Sequence, residues 1–244
     1  MLLKRWICSG IISIFMVAFL TQGALSKSAE HYYLLELFTS QSCSSCPAAD
    51  ALLQTLNSDT VIALSCNVTY WNHLHWEDTL SQDFCTQRQR QYSIVQGKNG
   101  RVFTPELMIN GKKSIVGSRK EEITRYISNP DHAVDRLDIE YQNDHITFQP
   151  LKRSTSSKYN IILMEYGKTY TQHIPSGENS GRSVQYTNPV TSLKTLKQDW
   201  DGTTHITIPS IKHNSQLRYI VIVSDIVTQQ IHAIAPLAAI GNAS

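Results

Sequence analysis

Two cysteines three residues apart, Cys43 and Cys46, constrain this chain more than any other feature. They stand in the run Leu34-Leu35-Glu36-Leu37-Phe38-Thr39-Ser40-Gln41-Ser42-Cys43-Ser44-Ser45-Cys46-Pro47. An apolar stretch suited to a buried strand leads through a short polar turn into the pair. A helix-like pattern follows, with Ala48, Ala49, Ala51, Leu52, Leu53 and Leu56. At the start of a helix both sulfurs fall on the first turn, where free backbone N–H groups and the helix dipole stabilise a thiolate. That is the geometry of a thiol–disulfide redox pair, with Cys43 as exposed nucleophile and Cys46 as resolving thiol. Two bland readings stand beside it. A structural zinc site wants a second ligand pair of similar spacing, and the later cysteines, Cys66 and Cys85, form no second Cys-x-x-Cys. A permanent structural disulfide asks for nothing more than the two thiols.

The N-terminus reads as an export signal over residues 1–26. Lys4 and Arg5 precede an apolar stretch from Trp6 to Leu20, and Ala24-Leu25-Ser26 offers small residues for cleavage after Ser26, with Ala29 as a second position. The stretch is short of the roughly 20 apolar residues of a membrane span. Cys8 precedes most of it and leaves with the signal. The expectation is a periplasmic or secreted protein with no membrane attachment after cleavage. The 22 basic residues lose Lys4 and Arg5 with the signal and then match the 20 acidic ones, so nothing asks for nucleic acid or an anionic surface. In an oxidising compartment, Cys66 and Cys85 make either a second disulfide or two separate buried thiols.

Residues 31–130 alternate strand and helix: strand Tyr32–Phe38, helix Cys46–Leu56, strand Val61–Val68, and a polar helix from Leu80 to Tyr92. Thr104-Pro105 enters a strand, Asn110-Gly111 is a hairpin signal, Lys112–Val116 returns, and Arg119–Ile127 closes with a helix. That order is α/β. Past Asn129-Pro130 short β-branched runs dominate: Val134–Tyr141, His145–Gln149, Tyr159–Tyr166, Ser183–Val190, Thr204–Ile208, Leu217–Ser224 and Ile231–Pro236. They suggest a β-rich, sandwich-like domain over 131–244 or an extension of the first sheet.

Glu36-Leu37-Phe38-Thr39-Ser40-Gln41 running into Cys43-Ser44-Ser45-Cys46-Pro47 and Asp50 resembles the signature of the DUF1223 family, exported bacterial proteins of unknown function with a thioredoxin-like domain. Tyr70-Trp71 with Trp76 and Asp78, Arg88-Gln89 with Tyr92, Thr104-Pro105, Gly111 with Val116-Gly117-Ser118, and Gly177-Glu178-Asn179 with Gly181-Arg182 match later blocks. Ser42, Ala48 and Cys66-Asn67 depart from the family's usual residues and leave the cysteine pair untouched. The resemblance implies a thioredoxin-like domain over 31–130 and a cis proline at Pro105 that aligns a partner's backbone beside the pair.

Glu36 interrupts the apolar run close to where thioredoxins carry a buried acid that takes the resolving thiol's proton; a carboxylate paired with a neighbouring Lys, Arg or N–H is the equal alternative. Tyr70, Trp71 and Trp76 are candidates to line a substrate groove. His73 and His75 beside them raise a weaker reading, a copper- or other metal-handling site. Glu178 and Arg182, in a loop bounded by Gly177 and Gly181, either reach the cysteine site or merely fix their own turn. The leading function is thiol–disulfide exchange with a protein or small-thiol partner, and it needs no cofactor. The rival is a binding or scaffold module whose cysteines form a permanent bridge. The redox reading expects Pro105 and the loop from Tyr70 to Trp76 to border the pair, Glu36 to lie beneath it, and Cys43 to stay partly open. A Cys43 sealed by residues 131–244 favours the scaffold.

Overall fold

The computed structural model describes residues 31–73, 76–142, 144–154, 158–211 and 214–237, so the export signal and His75 lie outside the described residues. Among the described residues, three α-helices sit with fourteen strands. The first strand, β1 (His31–Thr39), is buried along all but its first residue, as its continuous apolar run requires. Then follow α1 (Cys46–Leu56), with Pro47 in its first turn where a missing N–H costs nothing, and β2 (Val61–Asn67). Next come α2 (Asp83–Val95), β3 (Glu106–Ile109), β4 (Lys113–Val116) and α3 (Lys120–Ile127). The β3–β4 hairpin turns on Asn110 and Gly111, both at positive φ (52° and 63°), as the Asn-Gly signal demands.

The remaining strands are β5 (Val134–Arg136), β6 (Ile139–Gln142), β7 (His145–Phe148), β8 (Tyr159–Tyr166), β9 (Tyr170–His173), β10 (Ser183–Tyr186), β11 (Val190–Trp200), β12 (Ile206–Pro209), β13 (Arg218–Asp225) and β14 (Ile231–Leu237). The expected run Val134–Tyr141 is broken into β5 and β6. Two strands escape the sequence pattern. β9 is short and exposed, and β11 is an edge strand whose three register shifts destroy the two-residue alternation.

Nine strands form one mixed sheet in the order β11-β8-β13-β14-β5-β1-β3-β4, with β2 parallel to β1 on its other side. Of the two expectations for the strands after residue 130, extension of the first sheet is the one seen here. β5 hydrogen-bonds to both β1 and β14 and carries the sheet through that point. The sheet also curls back towards β2, whose Ser65 N–H donates to Thr187 O (2.8 Å) while Ala63 O accepts from Asn188 Nδ2 (3.0 Å). Two-sheet packing is present: β6, β7 and β12 form a separate three-stranded sheet over the outer face of β8, β13 and β14. Phe148, Trp200, Leu163 and Val221 fill that layer. A two-stranded sheet of β9 and β10 stands by itself against α1.

Alternation along β1 sorts everything near the cysteines. Leu34 and Phe38 face a core shared with α2, β8, β13 and β14, whereas Leu35 and Leu37 face α1 and α3 with Ala49, Leu53, Ile115 and Ile123. Cys66 at the end of β2 and Cys85 in α2 are both fully buried and bonded, with Cα atoms 5.4 Å apart. The second disulfide is therefore formed and fastens α2 to the sheet. Replacing both cysteines by alanine is expected to lower stability by about 3 kcal/mol, the scale for a closed loop of this size. Urea denaturation reads the loss as a shift in midpoint.

Candidate functional site

The turn after β1 carries the pair. Helix α1 begins at Cys46 with Ser45 as its N-cap, so Cys46 lies in the first turn and Cys43 lies ahead of it, against the expectation that both sulfurs share the first turn. Cys43 N–H donates to Ser40 O (3.2 Å), and Cys46 N–H donates to Cys43 O (3.1 Å), folding the motif into consecutive tight turns. The two cysteines are bonded, with Cα atoms 5.4 Å apart. Ser44 and Ser45 are exposed, and Ser45 Oγ lies 3.4 Å from Cys43 Sγ. Cys43 itself is only 2% exposed, and Cys46 is fully buried. The expected opening at Cys43 is absent.

Part of the cover comes from far along the sequence. Asn179, fully buried in the β9–β10 loop, donates both amide hydrogens to the motif, to Gln41 O (2.9 Å) and Cys43 O (2.8 Å). Glu178 accepts from Ser44 N–H at 3.2 Å. Residues 131–244 thus help close over the pair, and Glu178 does reach the cysteine site. Arg182 lines a groove beside Pro47.

Beneath the pair lies a carboxylate that the sequence reading missed. Asp50 follows Cys46 by one helical turn, which puts their side chains on one face of α1. It is 1% exposed; its Oδ2 accepts a 3.2 Å hydrogen bond from Thr39 Oγ1, and Oδ1 has no partner among the described residues. Burial pushes its pKa well above the ordinary 3.8; the Thr39 hydrogen bond opposes the shift, and the charge of Asp78 adds to it. Asp78, also buried, accepts from Gln41 N–H, Asn67 Nδ2 and Leu80 N–H, each at 2.8 Å. It ties the cysteine turn to the end of β2, and burial again raises its pKa against those donors. The pKa of Tyr186 in β10 is raised too, first by burial and then by the charges of Asp50 and Asp78. The missed signal was Cys46 and Asp50 at i and i+4.

Glu36 has the other fate. Its side chain leaves β1 on the face opposite α1, with Leu34 and Phe38. There it accepts from Arg88 Nε (2.6 Å), Arg88 Nη2 (3.1 Å) and Tyr92 Oη (2.7 Å), fully buried. Of the two readings of Glu36, the paired carboxylate is the one observed, and the expected place beneath the pair is corrected: the sheet separates Glu36 from α1.

The Thr104–Pro105 peptide is cis. Pro105 packs beside the first turns of α1: a Cβ added at Gly117 would lie 2.6 Å from Leu37 Cδ1, 3.0 Å from Ala49 Cβ and 3.3 Å from Pro105 Cβ. Only glycine permits that approach. The aromatic loop divides. Trp76 adjoins the motif, its carbonyl accepting from Ser42 Oγ (2.8 Å) and its Nε1 donating to Gln41 Oε1 (2.7 Å). Trp71 Nε1 donates to Thr104 Oγ1 at 2.8 Å, next to Pro105. Tyr70 turns to α2 instead, donating to Gln89 Oε1 at 3.1 Å. Burial carries its pKa up to about 12. Among the described residues no three His, Cys, Asp or Glu side chains gather as a metal site, and His73 is exposed.

The family model for "Protein of unknown function (DUF1223)" matches residues 34–224. The chain belongs to the DUF1223 family. A crystal structure of protein AGR_C_4864 from Agrobacterium tumefaciens is similar, with a TM-score of 0.66 at 22% identity over 87% of this chain and 96% of that one. That likeness speaks for the fold. Among curated proteins none matches.

Two buried carboxylates generate contrasting predictions. Glu36→Gln leaves Arg88 buried without its counter-charge and is expected to cost about 3–5 kcal/mol in urea denaturation, while replacing both partners by apolar residues recovers much of the loss. Asp50 behaves oppositely. Its raised folded pKa means the folded state holds the proton more tightly than the unfolded chain. Stability from this group is complete below 3.8 and is lost as pH rises towards the raised value. Asp50→Asn should therefore become more stable relative to the parent as pH climbs above about 4, where the carboxyl of the unfolded chain ionises. A denaturation series at stepped pH checks the sign.

Proposed function

We propose that this is an exported thioredoxin-like protein whose Cys43–Cys46 pair exchanges disulfides with a protein or small-thiol partner. One juxtaposition carries the reading: Asp50, a buried carboxylate with no cationic partner among the described residues, lies one turn along α1 from Cys46, while Pro105 and Ala49 of α1 flank Gly117 from two sides. A permanent bridge has no use for an uncompensated acid beneath it, since burying one costs stability. An exchanging pair does.

The reduced Cys43 thiolate, favoured by the N-terminus of α1, attacks one sulfur of a partner disulfide, and the partner's other sulfur leaves as a thiolate that takes a proton from water. Cys43 is then joined to the partner. Cys46 passes its proton to the Asp50 carboxylate, and its thiolate attacks the Cys43 sulfur. The second partner thiolate departs, so the pair ends oxidised and the partner reduced by two electrons. In reverse, protonated Asp50 returns the proton to Cys46 as its sulfur leaves. The raised pKa of Asp50 makes its carboxylate a stronger proton acceptor than an ordinary exposed one. Trp76 and Trp71 flank the motif and Pro105 respectively, and supply the walls for a bound partner.

The burial of Cys43, at 2% exposure, favours the scaffold reading and gives it a definite test. A reduction potential well below about −300 mV marks a structural bridge. The exchange reading expects a higher value. It also expects Cys46→Ala to accumulate a stable mixed disulfide through Cys43 when exposed to an oxidised peptide. Asp50→Asn should slow resolution of that adduct by about 10²-fold in a protein that retains Cys46, the usual scale for a positioned proton acceptor. No adduct under any pH, together with a strongly negative potential, leaves the scaffold as the function.

A further inference from the structure

The β9–β10 hairpin is attached to the molecule in an unusual way. Its two strands pair only with each other, and its small core consists of Ile174, Val184 and Tyr186 with Trp76 and Leu80 against them. Strand residues Tyr170, Thr171 and His173 face solvent. Nevertheless the loop at its tip is held firmly to the cysteine turn. Asn179 gives both amide hydrogens to Gln41 O and Cys43 O, and Glu178 takes the Ser44 N–H. The Asn179 Oδ1, buried in the same place, has no partner among the described residues. An asparagine placed only to fix its own turn would bond within the loop. This one spends its donors on the backbone of the redox motif.

We propose that residues 177–182 are an internal occupant of the surface on which a partner polypeptide docks at the pair. The proposal rests on the exchange reading and names its partner class: an extended peptide segment flanking a cysteine. The backbone groups covered by the loop are two carbonyl acceptors, at Gln41 and Cys43, and one N–H donor, at Ser44. Alternating N–H and C=O groups of an extended chain match that set, which a thiol without amide groups cannot supply. A groove of about 400 Å³ between α1 and β10, lined by Pro47, Ala51, Gln54, Arg182 and Gln185, continues from the same surface and gives the segment room to run on. While the loop is seated, Cys43 is 2% exposed; a partner has to displace it to reach the sulfur.

The test uses the whole exported chain, with its pair reduced and separated from reductant. Alkylation of Cys43 by iodoacetamide is timed in the parent, in Asn179→Ala, in Glu178→Ala and in Tyr170→Ser, an exposed change at the far end of the hairpin. Mass spectrometry assigns the label. Asn179→Ala is expected to speed labelling of Cys43 by about tenfold, the scale of losing two net hydrogen bonds. Glu178→Ala, at an exposed side chain that cannot unfold the core, should speed it by about threefold, the scale of a single bond. Tyr170→Ser should leave it unchanged. A cysteine-containing extended peptide, disulfide-linked to a reporter thiol, should gain the same factors, whereas 2-hydroxyethyl disulfide, which has no amide groups, should gain less. Unchanged labelling in both loop variants, or equal acceleration in Tyr170→Ser, overturns the proposal. If labelling accelerates but no variant exchanges with any disulfide, the loop is a cover as proposed and it is the exchange reading that fails.

Discussion

β1 hydrogen-bonds to three other strands and is buried on both faces, so it fixes the position of nearly everything that matters in this molecule. Its end delivers the cysteine turn, and its alternation decides which side chains meet α1. Thr39, Leu37 and Leu35 point to the cysteine helix; Glu36 and Phe38 point to α2. A one-residue slip would exchange the two sets. Pairing with β2 over seven residues and with β3 over four is what prevents it.

The two faces solve the problem of a buried carboxylate differently. Glu36 is compensated by a two-point Arg88 contact and a Tyr92 hydroxyl, an arrangement that holds α2 against the sheet and leaves no proton to exchange. Asp50 has one hydroxyl partner and a second acid, Asp78, for a neighbour. Such a group holds its proton more tightly than an exposed carboxylate does, because burial disfavours its charged form. On the proposed exchange reading, this acid is the group that takes and returns the proton of the resolving thiol.

Closure of the sheet through β5, β14, β13 and β8 brings the later part of the chain round to α1. The β9–β10 hairpin extends from that framework and sets Asn179 on the cysteine turn, more than a hundred residues away along the chain. The β-rich half thus has a specific relation to the site. It contributes the loop that bonds to the cysteine turn and one wall of the groove along α1.

Local pattern sufficed for much of this. Helix Cys46–Leu56, strand Tyr159–Tyr166 and the Asn110-Gly111 hairpin were legible because apolar period, turn chemistry and length agreed. The cysteine pair and Pro105 were legible as motifs. β11 was not, because its bulges and exposed face erase the alternation a strand is read by. Glu36 and Asp50 show where sequence stops. Each is an acid near the motif, and composition and spacing rank Glu36 first, since it interrupts an apolar run. Which of them lies on the cysteine side depends on the strand's facing and on whether a cation arrives from α2, neither of which is a local property. The sequence by itself determined the redox-type pair, the α/β order and the β-rich second half. Tertiary structure alone decided which acid accompanies the pair and that Cys43 is covered, because both depend on contacts between segments distant in the chain, set by strand pairing and burial.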